Sequence, residues 1–584
     1  MSLYEGLCEG LCEIKRHDGG ARRGIYTIKT KNGEQILQFP AAYEMTDIIP
    51  KLKDCTYVNM PPLLDEEEIS LVLKEYERFQ IDPIRPIHPN MSQDACATIT
   101  SGDIVMAAGW HTLLNRAKEL VRFISSFKQI LPPDIAWYLP AAATPANLAS
   151  LVHAGFDLFD YTAVDLLTAK GMFCLSDGVY PKEVMSEKKG LCSCAGCMQH
   201  DLRMHNRLML DQEAARIQYH ITAQSFREYL EAQCRHAPEL VSLMRVLDKD
   251  EYRENTTQIT RQAPLLATST DSLIRPEIKR FMSRVPTRYI PPHANVAVLL
   301  PCSAKKPYSQ SKSHMQFQQA INGRAHEIII TSPLGLVPRE LELVYPAAHY
   351  DVPVTGYWDH EERYIIGKMV EAYFSKHHYE RVIAHLDGDA YEIVRAACER
   401  CGIPLEWTCA DSSPLSHESL SRLKSTLLGC AKVKRRHVHG MFSYQFGQEL
   451  LEQGIEVKGR YPEQIVTKNR RQLFSIDPSG MLRPTFDGWQ IIETGYRVYI
   501  DDFIPQGDVL APGVIDADQS IREGDEVLVV GRLAWATGKA AMSADEMKRS
   551  KYGVAVRVRK VKKREIMTND TKGMGTRANA SLSP

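Results

Sequence analysis

Five consecutive apolar residues, Val296-Ala297-Val298-Leu299-Leu300, run directly into Pro301-Cys302-Ser303-Ala304-Lys305-Lys306-Pro307-Tyr308-Ser309-Gln310-Ser311-Lys312-Ser313-His314. The apolar run reads as a strand of an open α/β sheet. Ligands of such sheets bind beyond the carboxyl ends of the strands, where Cys302 would stand. Lys305 and Lys306 follow three and four residues later, and nearby positive charge lowers a thiol's pKa. Cys302 is therefore a candidate covalent nucleophile. Ser311 and His314 are three residues apart, so one helical turn puts both on one face.

The chain has 584 residues, too many for one core, and about three to five domains are expected. Hydrophobic residues at 44% and charged residues at 24% are globular values and exclude a largely disordered chain. Net charge is −1, but the basic residues are uneven. Lys548 to Arg564 holds nine Lys or Arg and no Asp or Glu. Lys432-Val433-Lys434-Arg435-Arg436-His437 and Lys468-Asn469-Arg470-Arg471 add two further clusters. Three basic clusters in one third of the chain point to a polyanion partner such as nucleic acid. The start, Met1-Ser2-Leu3-Tyr4-Glu5, does not read as a signal peptide. No apolar stretch is long enough to span a membrane. Fourteen cysteines in a chain of this length read as reduced thiols of a cytoplasmic protein, some bound to metal.

Alternating strand and helix signals extend to about residue 285 and imply a parallel sheet or barrel. Residues 286–414 read as a second α/β unit, with strands at Val296–Leu300, Glu327–Thr331 and Val382–Leu386. Residues 415–489 read as a small α+β segment. Residues 490–566 are all-β, and 567–584 form a polar, disordered tail.

Cys192-Ser193-Cys194-Ala195-Gly196-Cys197 supplies three thiolates within six residues. With His220 they would complete a closed, four-coordinate structural Zn2+ shell; His200 and His205 compete for the fourth place. Cys398 and Cys401 share a helix without a second pair and read as packing. Cys8 and Cys12 have no third partner for a cluster.

The amino-terminal half resembles the tRNA-guanine transglycosylase family. The resemblance rests on the Cys-x-Cys-x2-Cys motif with its downstream His, on Tyr138 to Pro145, on Gly155 to Asp160, and on Asp18 to Gly24. It implies a (β/α)8 barrel with Asp160 in place of the family's nucleophilic aspartate. Two features depart from that family. No Asp-Ser-Gly-rich loop precedes Tyr138, and Ala141-Ala142-Ala143 stands where Gly-Val-Gly forms the base pocket. Methyl groups there would crowd a base, so Asp160 reads as a remnant nucleophile.

The middle unit resembles the archaeosine synthase family. Pro301 to His314 fits its Pro-Cys-x3-Lys-Pro-Tyr-x2-Ser-x2-His signature, and Thr331 to Glu342, Tyr345 to Asp351 and Val354 to Asp359 also match. The carboxyl-terminal segment resembles a PUA domain through Val509 to Val514, Gly524 to Val527 and Gly538 to Ser543. These resemblances imply a tRNA-modifying transferase acting on tRNA that carries 7-cyano-7-deazaguanine (preQ0) in its D-loop. Its nitrile becomes the amidine of archaeosine. Cys302 would add to the nitrile carbon, Lys306, or Lys305, would hold the thiolate charge, and His314 would move protons. Ser311 and Tyr308 would orient the nitrile nitrogen. Asp359, Glu361 and Glu362 would take the ammonium of an amino-acid donor and Arg339 its carboxylate. The donor is glutamine or ammonia, or free lysine with a radical SAM partner enzyme completing the amidine. Gly513, Lys548, Arg549, Lys551 and Arg557 are the expected RNA contacts of the PUA domain. A homodimer is expected by analogy with the transglycosylases. Two alternatives compete: an active transglycosylase inserting preQ0 through Asp160, and a non-catalytic tRNA-binding protein.

Overall fold

A computed structural model describes residues 9–564, except 31–32, 49–83, 93, 111–112, 114, 184–190, 355–356, 411, 434–436, 452 and 461–462. Lys434 to Arg436 of one basic cluster, Cys8 and the 567–584 tail therefore lie outside the described residues.

The chain opens with an antiparallel sheet of β1 (Glu9–Asp18), β2 (Ala21–Thr30) and β3 (Gly33–Phe39). A parallel sheet follows in the order β4 (Ala41–Tyr43), β8 (Leu158–Asp160), β7 (Ala136–Tyr138), β6 (Ile104–Ala107) and β5 (Ile84–Ile87). Five parallel strands of this unit lie among the described residues. The strands are short, and β6, β7 and β8 are buried along their whole lengths, as the apolar sequences of β6 and β7 require, with Asp160 at the end of β8 buried as well. Next come a hairpin of β9 (Met172–Leu175) and β10 (Gly178–Pro181) and the long helix α1 (Leu202–Ala223).

The middle unit is a five-stranded sheet containing β11 (Val296–Pro301), β12 (His326–Thr331), β13 (Gly335–Pro338), β14 (Arg381–Ala384) and β15 (Leu405–Trp407). Its order is β13-β12-β11-β14-β15, parallel except for β13. Helix α2 (Lys312–Ile321) links β11 to β12; α3 (His360–Phe374) precedes β14, and α4 (Gly388–Arg400) follows it. The chain leaves β11 toward β12 on one side and returns to β14 on the other. The strand order therefore reverses at β11, and the crevice of a doubly wound sheet opens at that strand's carboxyl end.

An antiparallel sheet of β16 (Glu456–Arg460), β17 (Glu463–Lys468), β18 (Arg471–Ile476) and β19 (Leu482–Pro484) comes next. The last unit is a six-stranded sheet of β20 (Arg497–Ile500), β21 (Val509–Leu510), β22 (Val514–Ala517), β23 (Glu526–Val530), β24 (Ala534–Ala540) and β25 (Val554–Lys563). Its order is β21-β25-β24-β23-β20-β22. One continuous hydrophobic cluster runs from Ile259 through Leu299, Phe442 and Phe474 to Val556, so the middle and carboxyl-terminal sheets share a core.

Candidate active site

Cys302 follows the last residue of β11, at the point where the strand order reverses. Solvent reaches the residue, yet enough protein surrounds the thiol for desolvation to push its pKa up. A hydrogen bond with Thr331, at the end of the neighbouring β12, and the charge of Lys306 pull the other way without cancelling burial. This corrects the expectation that two lysines would leave the thiol acidic. Lys305 is exposed, and only Lys306 takes part. Burial lowers the pKa of the half-buried Lys306 ammonium, opposed by Asp351 and Cys302. Its Nζ lies 3.9 Å from the centre of the Tyr350 ring.

Behind the thiol runs a chain of buried hydroxyls. Thr331 Oγ1 is 2.5 Å from Tyr350 Oη, which is 2.7 Å from Tyr308 Oη. Tyr308 was expected to meet the nitrile nitrogen, but it is fully buried and belongs to this chain. Thr331 and Tyr350 belong to the site although their roles were not read from the sequence. Both stand in motif stretches, but only the sheet register brings them together.

Ser311 and His314 do share a turn, as their spacing required. Ser311 is the N-cap of α2 and accepts the His314 backbone N–H at 3.2 Å. The imidazole of His314 is fully buried, and Arg339 Nη2 donates to its Nδ1 at 2.8 Å. Burial and the Arg339 charge push its pKa down to about 3. It is a neutral, fixed group, not the proton carrier expected from an ordinary imidazole pKa. Arg339 is likewise spent: Nε donates to Glu327 at 2.9 Å and Nη1 to Glu342 at 2.8 Å. Glu342 also accepts the Ser309 N–H at 2.9 Å. These buried groups clamp the loop after Cys302, so Arg339 is unavailable for a donor carboxylate.

Beside this strand end lies a cavity of about 300 Å3 lined by Thr270, Ser332, Tyr357, Asp359 and Glu362. Asp359 caps α3 in a reciprocal box with Glu362. Thr270 donates to Asp359 at 3.0 Å, and Ser332 donates to Glu362 at 2.5 Å. No Lys or Arg pairs with either carboxylate among the described residues, so the cavity wall is acidic. Glu361 is exposed and does not line it.

Asp160 ends β8, buried, with its carboxylate fully engaged. Tyr138 Oη and the Ala141 N–H donate to Oδ2 at 2.7 and 2.9 Å, and the Thr162 N–H donates to Oδ1 at 2.7 Å. Ala141 has φ +55°, in the left-handed region that favours glycine.

The fourth member of the cysteine group is His205, not His220. The donor atoms of Cys192, Cys194, Cys197 and His205 lie within 4.8 Å of one another. His205 Nδ1 is 3.2 Å from the sulfurs of both Cys194 and Cys197. Its Nε2–H donates to the Cys174 carbonyl at 2.9 Å, which aims the other nitrogen at the sulfurs. A Cβ on Gly196 would lie 2.3 Å from the His205 backbone nitrogen, so only glycine lets the loop approach α1 this closely. His220 lies farther along α1 and pairs with Ser225 at 2.8 Å. The group can hold a metal ion.

The expected RNA contacts of the last sheet are dispersed. Arg549 donates to Leu131 O at 2.6 Å and pairs with Asp545, Lys548 sits 3.7 Å from Asp516, and the Lys551 N–H donates to Asp134 at 2.7 Å. Gly513 packs beneath the Phe503 ring, where a Cβ would meet it at 2.9 Å. Arg557 is exposed.

Comparison with known proteins agrees with this architecture. Residues 83–239 match the family described as queuine tRNA-ribosyltransferase, residues 278–427 a domain of unknown function (DUF5591), and residues 496–562 the PUA domain. The archaeosine synthase subunit alpha of Methanosarcina acetivorans is 38% identical over 504 residues, covering 80% of each chain. The archaeosine synthase of Haloferax volcanii is 38% identical over 75% of this chain and 78% of its own. The tRNA-guanine(15) transglycosylase of Methanothermobacter thermautotrophicus is 25% identical over 76% of this chain and 69% of its own. A transglycosylase-like unit, a strand-end cysteine and a PUA domain together define a tRNA-modifying transferase. Within that class, the chain belongs to the archaeosine synthase family.

Proposed function

We propose that this protein takes part in archaeosine biosynthesis by adding an amine to the nitrile of preQ0 already built into the tRNA D-loop, through a thioimidate on Cys302. The carrying observation is the thiol at the strand-reversal point beside an ammonium whose pKa burial has lowered. Lys306, in the deprotonated form that burial favours, takes the Cys302 proton. The thiolate adds to the nitrile carbon, forming the C–S bond, and the nitrogen anion takes the proton back from Lys306. The donor amine then adds to the thioimidate carbon, the C–S bond breaks, and the amine's proton returns to sulfur, leaving an amidine and a free thiol.

Thr331, backed by Tyr350 and Tyr308, orients the sulfur. The acidic cavity at Asp359 and Glu362 favours a cationic amino-acid donor, with lysine and glutamine as the candidates, and a radical SAM partner enzyme would complete the amidine after lysine addition. The Cys3His group suits a structural Zn2+, since four protein ligands leave no open position. By analogy with the transglycosylases, the proposed assembly is a homodimer. No helix among the described residues is long and apolar enough to cross a membrane, and the proposed place of action is the cytoplasm. The alternative, base exchange at Asp160, is disfavoured by the three hydrogen bonds that occupy this carboxylate.

The test incubates purified protein, preQ0-bearing tRNA and each candidate amine, followed by mass analysis of the nucleoside. The proposal expects Cys302→Ala to lose at least about 10³-fold in turnover while tRNA binding persists. Full activity in Cys302→Ala with loss in Asp160→Ala would favour the transglycosylase.

A further inference from the structure

A cleft of about 820 Å3 lies where three units meet, far in sequence from Cys302. Its walls come from β1 (Lys15, Arg16), the β18–β19 turn and β19 (Arg483), and the last sheet (Glu523, Lys539, Arg557). Hydrogen bonds between the units fix these walls. The Ile259 N–H donates to the Glu523 carbonyl at 3.0 Å, and the Tyr345 N–H donates to the Ser479 carbonyl at 2.9 Å. The cleft is therefore preformed.

Its charge is lopsided. Among the described residues, Lys15, Arg16, Lys539 and Arg557 make no ion pair, and Arg483 has only Asp477, at 3.4 Å. The acidic residues in the wall are Glu13, Asp477 and Glu523. Burial, with Glu546 nearby, pushes Glu523 up to about 8 despite Arg557, so it offers little negative charge at neutral pH. Unpaired cations on separate elements around one groove repel one another until a polyanion enters. A single phosphate cannot span cations held on three separate sheets, whereas a sugar–phosphate chain can. The basic residues first expected to touch RNA are mostly engaged elsewhere. Arg549 and the Lys551 backbone bind the amino-terminal unit, and of that set only Arg557 lines the cleft.

We infer that this cleft is a docking groove for an RNA backbone, built jointly by the amino-terminal hairpin, the β16–β19 sheet and the PUA sheet. The inference rests on the reading that the protein acts on tRNA, but not on the chemistry at Cys302.

The test uses the full chain and a tRNA transcript, with affinity read by fluorescence anisotropy across a salt series. The double variants Lys15→Ala/Arg16→Ala and Lys539→Ala/Arg557→Ala should each flatten the plot of log K against log salt by about 1.5–2, at unchanged thermal midpoint. Cys302→Ala should keep the full slope. Unchanged affinity and slope in both double variants overturn the inference. So does displacement of the RNA by inorganic phosphate at constant ionic strength, which marks a small-anion site. An unchanged slope with turnover intact defeats the groove and leaves the Cys302 reading standing. Flattened slopes in a protein that converts no nitrile do the reverse.

Discussion

At the scale of single residues, burial moves the pKa values of Cys302 and Lys306 toward each other, the thiol up and the ammonium down, and the proposed mechanism uses them as a pair. Lys306→Met should lower turnover by about 10²–10⁴-fold and remove the limb of the kcat/KM profile that rises with pH as the ammonium deprotonates. A variant that keeps both the rate and that limb would remove Lys306 from the reaction. Arg339 shows the opposite case. Its guanidinium pairs with two buried carboxylates, so Arg339→Met removes the cation that faces both Glu327 and Glu342. Denaturant unfolding should show a loss of about 3–5 kcal/mol. The residues of the Cys302 motif were legible in the sequence as a set, but their roles were not. Arg339 read as a ligand for a carboxylate because nothing in one dimension shows that residues 327 and 342 fold onto it. His314 read as a proton carrier because its spacing cannot report its burial.

At the scale of elements, the apolar runs marked three of the five strands of the middle sheet, β11, β12 and β14, and with them the strand end that carries Cys302, while β13 and β15 were not read from the sequence. Three cysteines within six residues marked the metal group, but the choice of histidine needed three dimensions. His205 and His220 both lie on α1, and only the turn next to the cysteine loop can reach the sulfurs. His205→Ala should lose bound metal, read by elemental analysis against protein, while His220→Ala should retain it. Equal metal content in the two variants would contradict this arrangement. Two buried imidazoles are also held neutral: His314 in the first turn of α2 and His385 directly after β14, with pKa values pushed down to about 3 and about 4. An unfolded histidine titrates near 6.5, so the unfolded chain binds protons that these two refuse. Their contribution to stability is complete above that value and declines as pH falls toward 4, by up to about 1.4 kcal/mol per pH unit each. Guanidinium midpoints should therefore fall between pH 7 and pH 5 more steeply in the parent than in His385→Asn.

At the scale of the whole molecule, the sequence divides readily into units because composition and motif change along it. The joins were not legible, since interdomain contacts leave no periodicity. The continuous core from Ile259 to Val556 means that the last sheet is packed rather than tethered. Removing residues 490–584 should thus lower the thermal midpoint of the remainder as well as weaken tRNA binding. A remainder of undiminished stability would show that the sheet is an independent appendage. The central claim, however, concerns one bond. PreQ0-bearing tRNA incubated without amine, then denatured and digested with nuclease and protease, should give a peptide containing Cys302 heavier by the mass of the modified nucleotide. Later addition of the amine should release that mass. Turnover by Cys302→Ser at the parent rate, with no adduct in the parent at any time before amine addition, would contradict the account.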